Sequence, residues 1–372
     1  MSATSTRVVI VGGGYGGVTA AKLLDKDFEV VLVEKKDAFF HNIGALRGVV
    51  DRNFLRELFI PYDNLLSHGR VVRGTAAEVS AEEVVLEDGR RIGYDYLVLA
   101  TGSGYPFPAK TPFDEAALSM EAISWAGRQV EEAEGVLLFG GGPVGIELAG
   151  EIKSRYPEKG VALVHSHSSL VGGWFRPELG AKLLEKLEQK GVKVIFEEAV
   201  MPEDEDDPET TFLTDKGTTI EASLLRPHPL SGVMGFVCFG VKPNTAFLAG
   251  GPVTLDGAGR VRVDRYLRAE GHDDVFAIGD ITDVEEPKTA YLAQKHAEVV
   301  AKNIGATEGG RKGSLKPYRP NQNPPMVVPV GPDDGVTQFP VAGGLVVGRR
   351  TTKLLKGRDL MVERYRKILG AR

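Results

Sequence analysis

One arrangement occurs twice along this chain and constrains its fold more than any other feature. A short strand rich in β-branched residues runs into a glycine-rich turn, a helical stretch follows, and a second apolar strand completes the unit. The first unit begins with RVVIV at residues 7–11, and the second begins with the apolar residues 136–139. Strand, glycine turn, helix and strand within about 30 residues are typical of a dinucleotide-binding α/β unit. Two copies predict two nucleotide-binding domains in one chain.

The first turn reads GGGYGG and fits the pattern G-x-G-x-x-G. In such a turn the first glycine permits a tight bend, the second lets the backbone approach a pyrophosphate, and the third lets helix and strand pack closely. Glu34 ends the second strand, where a carboxylate can accept hydrogen bonds from ribose hydroxyls. The residues predicted to contact the dinucleotide are therefore Gly12, Gly13, Gly14, Tyr15, Gly16, Gly17 and Glu34.

The second turn fits the same pattern at Gly140, Gly142 and Gly145, but no acid ends its second strand. His165 occupies that place. An acid would repel the 2′-phosphate of NADPH, whereas a histidine does not and can hydrogen-bond to it. We therefore expect this site to accept NADPH as well as NADH, although His165 would also suit an ordinary loop.

The composition excludes several classes of protein. Cys238 is the single cysteine of the chain, so one chain cannot form an internal disulfide, a dithiol redox centre or a Cys₄ metal site. We predict no bound metal. The sequence contains no run of 18 apolar residues, so it predicts no membrane-spanning helix. Residues 1–7 lack the apolar core of a signal peptide.

Two further motifs indicate which dinucleotide each domain binds. Thr101-Gly102 closes a buried strand, and Asp280 follows Gly279 at the end of a later one. An aspartate there can bind a ribityl hydroxyl while neighbouring backbone N–H groups meet a flavin phosphate. These pieces in this order resemble the flavoproteins with two dinucleotide-binding domains. The resemblance implies FAD in the first domain and NADH or NADPH in the second.

The predicted fold is α/β, with two Rossmann-like domains, one for FAD and one for NAD(P)H, and a small C-terminal α+β domain. The FAD domain is discontinuous, with residues 1–110 and 245–310; residues 111–244 form the NAD(P)H domain, and residues 311–372 form the C-terminal domain with its basic tail. Residues 224–240 depart from the family pattern, because Pro227 and Pro229 cannot donate to a central ladder. Whether they form an inserted loop stays open.

Several longer stretches narrow the resemblance. They are His41-Asn42 with Ala45-Leu46-Arg47, EIK..YPEK at 151–159, PK.AYLA at 287–293 and K.RDL at 356–360. They resemble the apoptosis-inducing-factor-like group, which includes ferroptosis suppressor protein, an NAD(P)H:coenzyme Q oxidoreductase. The resemblance implies an enzyme that passes a hydride from NAD(P)H to FAD and then electrons to a quinone. The resemblance further implies a quinone of the coenzyme Q or vitamin K type and an activity that protects lipids from radicals.

The resemblance also assigns roles around the flavin. Arg47 would be a cationic partner near it, and Val71 would offer its backbone to the adenine. Thr101 and Gly102 would line the cofactor, and Asp280 would hold the ribityl chain.

Three residues are candidates for the chemistry. Glu147 would lie between nicotinamide and flavin, and Lys356 matches a family lysine assigned to the flavin and quinone site. Lys288 is the third candidate, because a cation can stabilise negative charge on a reduced flavin. Lys356 would equally suit a solvated lysine of a basic tail.

The C-terminal tail suggests a partner. Residues 349–372 contain nine Lys or Arg against two acids, whereas the whole chain has a net charge of −6. A basic tail on an acidic body suggests an anionic surface. We expect a cytoplasmic monomer or homodimer, either free or at the periphery of the mitochondrial outer membrane, the plasma membrane or a lipid droplet. Met361, Tyr365, Ile368 and Leu369 share a helical face, which either lies on a membrane or docks on the protein itself.

Two other functions stay open. One is an NAD(P)H reductase for a soluble acceptor, and the other is a signalling flavoprotein like apoptosis-inducing factor. Nucleic-acid binding is not expected, because only the tail is basic. The quinone assignment depends on the resemblance, since the A-Q-x-A-x-Q motif of alternative NADH:quinone dehydrogenases survives only as Ala293-Gln294.

Overall fold

The computed structural model describes residues 6–199, 211–217, 219–221, 223–224, 233–310 and 314–371. The strands are β1 (Arg7–Val11), β2 (Glu29–Glu34), β3 (Ala38–Phe40), β4 (Phe59–Pro61), β5 (Arg70–Arg73), β6 (Ala76–Val79), β7 (Glu83–Leu86), β8 (Arg91–Gly93), β9 (Tyr96–Leu99), β10 (Ser103–Gly104), β11 (Gly135–Phe139), β12 (Gly160–His165), β13 (Val192–Phe196), β14 (Thr211–Leu213), β15 (Thr219–Glu221), β16 (Ser223–Leu224), β17 (Val233–Val237), β18 (Lys242–Pro243), β19 (Val275–Ala277), β20 (Met326–Pro329), β21 (Gly335–Phe339) and β22 (Leu345–Val347). The α-helices are α1 (Tyr15–Leu24), α2 (Ala45–Val50), α3 (Arg52–Arg56), α4 (Ala116–Glu132), α5 (Pro143–Arg155), α6 (Pro177–Gln189), α7 (Ala290–Glu308), α8 (Arg349–Thr352) and α9 (Val362–Leu369). Short 3₁₀ turns lie at Asn42–Gly44, Ala246–Leu248 and Gly279–Ile281, and Lys353–Gly357 forms a π-helical turn.

The first sheet is parallel and has the order β19-β9-β1-β2-β5. Val8 and Ile10 of the middle strand β1 face α1 and α7, whereas Val9 and Val11 face the meander β6-β7-β8. Because both faces are covered, the strand is continuously apolar from Val8 to Val11 and does not alternate.

The second sheet repeats this plan with the order β13-β12-β11-β17-β16. Strand β17 pairs in parallel with β11 along its whole length. The two prolines that predicted a broken strand, Pro227 and Pro229, lie outside the described residues. In both sheets the glycine turn follows the middle strand at its carboxyl end, where parallel α/β sheets bind ligands. The predicted α/β class with two Rossmann-like domains is confirmed.

The C-terminal part forms the antiparallel sheet β20-β21-β22, followed by α8, the π-helical turn and α9. It packs closely on α5, since a Cβ added to Gly150 would lie 2.6 Å from the Cα of Val330. Helix α9 docks on the first domain, and Tyr365 and Leu369 are buried there. Of the two alternatives for this helical face, the structure therefore shows the docked one. Among the described residues, no helix combines the length and apolarity needed to cross a bilayer.

Candidate active site

The first glycine turn has backbone geometry that other residues cannot adopt. Gly12 has φ +103°, and a Cβ on it would lie 2.5 Å from the carbonyl oxygen of Ala100. A Cβ on Gly17 would lie 1.8 Å from the carbonyl oxygen of Gly12. At Gly14, by contrast, a Cβ would meet no atom of the described residues within 4 Å. The start of α1 thus opens onto free space, which fits the pyrophosphate of a dinucleotide.

Glu34 lies beside this turn, as predicted. Its carboxylate accepts hydrogen bonds from the N–H of Gly13 and, at 2.9 Å, from the N–H of Lys36. Tyr62 donates its hydroxyl hydrogen to the carbonyl oxygen of Gly13 at 2.9 Å. Sequence reasoning gave Tyr62 no role, and its place 49 residues beyond the turn offers no motif by which to find it. These contacts fix the carboxylate at the carboxyl end of β2, at the place where such folds bind ribose.

Tyr15, predicted to contact the dinucleotide, turns its side chain towards the C-terminal helix. Its ring lies 4.8 Å from that of Tyr365, and its hydroxyl accepts the N–H of Ile43 at 3.1 Å. Burial raises the pKa of the Tyr15 hydroxyl well above its ordinary value. The hydroxyl donates to Nδ1 of His41 at 3.2 Å, and Nε2 of His41 donates to the carbonyl oxygen of Leu360 at 2.7 Å. The sequence drew attention to His41 within a family motif without giving it a role.

Asp280 lies beside Ser103, the residue that follows Thr101-Gly102. Its carboxylate accepts the hydroxyl of Ser103 at 2.5 Å and lies 3.7 Å from Nζ of Lys110. Burial lowers the pKa of Lys110. The hydroxyl of Thr101 donates to the carbonyl oxygen of Asn244 at 2.7 Å. This bond joins the segment after β9 to the segment after β18. Lys110 is a second residue that sequence reasoning missed.

Val71 and Arg47 have different surroundings. Val71 lies in β5 opposite Leu32 of β2, beside the strand that ends in Glu34. Arg47 is 6% exposed and bonds to Glu151 at 2.8 Å. It also donates to the carbonyl oxygens of Gly357 and Arg358. Its observed contacts therefore join three parts of the chain.

The second glycine turn repeats the geometry of the first. Gly140 has φ +115°, and a Cβ on Gly145 would lie 2.1 Å from the carbonyl oxygen of Gly140. A Cβ on Gly142 would meet no described atom within 4 Å. His165 ends β12 as Glu34 ends β2, and its Nε2 lies 3.1 Å from the carbonyl oxygen of Ser169. Desolvation and the neighbouring His167 lower its pKa.

Two of the three predicted catalytic residues form an ion pair. Nζ of Lys356 lies 2.6 Å from Oε1 of Glu147, and the two side chains are 13% and 10% exposed. Burial raises the pKa of Glu147, and the charge of Lys356 opposes that shift. Glu147 comes from α5 beyond the second glycine turn, and Lys356 comes from the π-helical turn. The sequence separates them by 209 residues, so only the fold could reveal the contact.

Lys288, the third candidate, bonds elsewhere. Its Nζ donates to the carbonyl oxygens of Thr282 at 3.0 Å and Val284 at 2.8 Å, within the loop that follows Asp280. Burial lowers the pKa of Lys288.

The chain has two Rossmann-like folds, each with a parallel sheet and a glycine turn that opens onto free space. A buried acid–base pair lies beyond the second turn. Together these features are typical of a flavin-dependent pyridine-nucleotide oxidoreductase. The sequence profile of the pyridine nucleotide-disulphide oxidoreductase family matches residues 6–297, and the chain belongs to this family. It is an FAD-dependent enzyme that uses NAD(P)H. A single cysteine leaves it without the cysteine pair of a disulfide reductase.

Its relatives confirm the narrower resemblance to the apoptosis-inducing-factor-like group. The chain is 36% identical to ferroptosis suppressor protein 1 of Homo sapiens, over 95% of this chain and 93% of that protein. It is 32% identical to apoptosis-inducing factor homolog B of Dictyostelium discoideum, over 98% of this chain and 97% of that protein. The fold is similar to that of the sulfide:quinone oxidoreductase of Aquifex aeolicus, with a TM-score of 0.73 and 20% identity. That likeness covers 98% of this chain and 92% of the other.

Proposed function

We propose that this protein passes a hydride from NAD(P)H to FAD and then electrons to a quinone of the coenzyme Q or vitamin K type, and so protects lipids from radicals. The buried pair of Glu147 and Lys356 is the observation that supports this most directly. The relatives named ferroptosis suppressor protein 1 point to the same activity.

The residues proposed to hold the cofactors follow from the two turns. The N-terminus of α1, with Gly12 to Gly17, would hold the pyrophosphate of FAD, Glu34 would bind its ribose, and Asp280 would bind the ribityl chain. We also propose that residues 1–110 and 245–310 form the FAD domain, residues 111–244 the NAD(P)H domain and residues 311–372 the C-terminal domain. Held by these residues, FAD would supply the hydride acceptor and the route for electrons to the acceptor.

Glu147 and Lys356 would supply a proton for the reduction of the quinone. Reducing a quinone to a quinol takes two electrons and two protons, and NAD(P)H brings only one hydrogen, as hydride. A further proton must therefore come from solvent. Glu147, whose pKa is raised by burial, can hold that proton, and Nζ of Lys356 at 2.6 Å can exchange it. Lys356 can also donate a hydrogen bond to a quinone oxygen that gains negative charge.

We further infer that the enzyme accepts NADPH as well as NADH. His165 occupies in β12 the place that Glu34 occupies in β2, so the side chain that ends this strand is not a carboxylate that would repel a 2′-phosphate. Because its pKa is lowered, the histidine would contribute a hydrogen bond more than a positive charge.

The test is a titration of the purified yellow protein without oxygen, with NADH and NADPH in turn, followed by a short-chain quinone. We expect the flavin absorbance to bleach and to recover when quinone is added. In Lys356→Met the bleaching should remain, whereas recovery should slow by roughly 100-fold, the effect of losing one acid–base group. Lys353→Met is the matched control, because Lys353 lies in the same turn and pairs with Asp333 at the surface.

Each contrary result favours another function. Wild-type flavin that bleaches but does not recover with quinone would contradict quinone reduction and favour a soluble acceptor. Flavin that bleaches only slowly would favour a signalling flavoprotein. If Lys353→Met slows recovery as much as Lys356→Met, the pair has no special role.

We also propose where the protein meets a lipid surface. Arg349, Arg350, Leu354 and Leu355, here called the C-terminal surface, are exposed, and Leu354 is 85% exposed. Leu354 and Lys356 belong to one π-helical turn, of which one residue faces outwards while the other pairs with buried Glu147. The apolar and basic side chains together suit an anionic bilayer that holds a lipid-soluble quinone.

A further inference from the structure

A second buried polar cluster lies beside the Gly279-Asp280 turn. The backbone N–H of Gly279 donates to Nδ1 of His296 in α7 at 3.1 Å. Nε2 of His296 lies 2.7 Å from Oε1 of Glu286, and the hydroxyl of Tyr318 lies 2.6 Å from Oε2 of the same carboxylate. The side chains of His296 and Glu286 are 1% and 2% exposed. This cluster has no part in the chemistry described above.

The direction of each hydrogen bond follows from the chemistry of the groups. A backbone N–H can only donate, so Nδ1 of His296 accepts and bears no hydrogen. The ring proton is then on Nε2, and it is donated to Glu286. The Tyr318 hydroxyl also donates to Glu286, so the carboxylate fixes the tautomer of the histidine. Gly279 thus donates to His296 and His296 to Glu286, and the donation from Tyr318 meets theirs at the same carboxylate.

The cluster fixes the turn that presents Asp280. Gly279 has φ +75° and begins the 3₁₀ turn Gly279–Ile281, so the first N–H of that turn is the one held by His296. Beyond the turn, Lys288 binds two carbonyl oxygens of the loop that contains Glu286. Asp280, directly after Gly279, aims its carboxylate at Ser103.

Stability alone does not account for such a cluster. A buried polar network is often no more stabilising than apolar side chains of the same size, whereas a fully hydrogen-bonded one makes its surroundings rigid. We propose that His296 is a positioning residue, which sets the Gly279-Asp280 turn for FAD through its Nδ1 atom. Glu286 and Tyr318 hold the histidine in the tautomer that this contact needs.

Two substitutions at one position separate this role from simple packing. In His296→Asn the side-chain oxygen lies near the place of Nδ1 and can still accept the N–H of Gly279. In His296→Gln the polar atoms lie one bond further out, so Glu286 keeps a donor while Gly279 loses its acceptor. We expect His296→Gln to weaken FAD binding to the apoprotein by at least about tenfold, the effect of one unpaired buried donor. His296→Asn should weaken it by no more than about threefold, since that donor stays paired.

The readout is the FAD dissociation constant of the apoprotein, from flavin fluorescence, with the melting temperature measured beside it. Asn303→Ala is the matched control, because buried Asn303 in the same helix binds Tyr266 and Lys316 and does not touch the turn. It should lower the melting temperature without changing FAD affinity.

Three results would overturn the proposal. Equal FAD affinity in the Asn and Gln variants would show that the Nδ1 contact does not matter. Loss of FAD affinity in Asn303→Ala would show that any damage to α7 has the same effect. If neither His296 variant folds, Tyr318→Phe, which removes only one hydroxyl from Glu286, replaces them, and an FAD affinity identical to wild type in that variant contradicts the proposed relay.

Discussion

His41 is the residue whose surroundings most clearly set its protonation. Burial lowers its pKa from 6.5 to about 4, and the nearby positive charge of Lys356 adds to the effect. Its neutral ring accepts from Tyr15 and donates to Leu360, whose φ of +49° is followed by +68° at Met361. Two successive non-glycine residues in the left-handed region are strained, so we infer that the His41 contact helps to hold this turn after the π-helical turn.

The low pKa of His41 predicts how stability depends on pH. The unfolded chain takes up a proton near pH 6.5, whereas the folded protein resists it down to about pH 4. The stability that His41 contributes is therefore complete above pH 6.5 and is lost as the pH falls towards 4. We expect this residue to lower the free energy of unfolding by up to about 3 kcal/mol across that window.

Denaturant unfolding at several pH values measures this effect. His41→Gln, which cannot titrate, should show a flatter profile than wild type between pH 6.5 and 4. His272→Gln, the same substitution at a histidine far from His41 in sequence, serves as the control. A His41→Gln profile as steep as that of wild type would show that other groups cause the acid sensitivity.

At the scale of elements, the C-terminal surface provides a prediction for the proposed membrane contact. Leu354→Ser and Arg349→Glu/Arg350→Glu should each reduce binding to vesicles that contain an anionic lipid, by roughly tenfold for the leucine and more for the charge reversal. Turnover with a short-chain, water-soluble quinone should stay the same, since none of these residues touches Glu147 or Lys356. Sedimentation with vesicles measures the binding.

Leu23→Ser is the control for that experiment. Leu23 is 47% exposed and lies in α1, so Leu23→Ser removes an exposed leucine that is not part of the C-terminal surface. It should bind vesicles as wild type does. Equal loss in Leu23→Ser and Leu354→Ser, or unchanged binding in every variant, would contradict a specific C-terminal contact.

The elements also show what the sequence can and cannot predict. Both glycine turns and their flanking strands follow from local rules, because φ values of +103° and +115° and carbonyl oxygens close behind the turns admit only glycine. The face of α9 was ambiguous, because the same spacing of apolar residues suits a bilayer or a protein core. Only the three-dimensional fold places Tyr365 against Tyr15.

The residues of the candidate site also fall into those that the sequence can predict and those that only the fold reveals. Glu147 and Lys356 were recognised from motifs, but their pairing depends on how α5 and the C-terminal turn meet. His41, Tyr62 and Lys110 could not be assigned roles, because their partners are backbone atoms or residues distant in sequence. A motif therefore singles out candidate cofactor-binding residues more readily than the residues that hold those candidates in place.

At the scale of the whole molecule, Arg47 joins the three parts of the chain. It comes from α2, whose buried side chains pack in the core that contains α4 and α5. It bonds to Glu151 of α5 and donates to Gly357 and Arg358 in the C-terminal part. A cavity of about 680 Å³, lined in part by Arg47, Glu151 and Arg358, opens at this junction. From these contacts we propose that Arg47 serves mainly to fix the domains together, whereas the sequence predicts a partner of the flavin.

The two roles make opposite predictions. If Arg47 fixes the domains, Arg47→Met should lower the free energy of unfolding by about 3–5 kcal/mol, because it leaves Glu151 as a buried, unpaired charge. FAD affinity of the folded protein should change little. The double variant Arg47→Met/Glu151→Met should recover most of the lost free energy of unfolding, because it no longer buries an unpaired carboxylate. It should not recover the part due to the carbonyl oxygens of Gly357 and Arg358, which stay without a donor. Denaturant unfolding and FAD titration of the three proteins together decide between the roles. An FAD dissociation constant raised tenfold in Arg47→Met, with unfolding unchanged, would restore the flavin role that the sequence predicts.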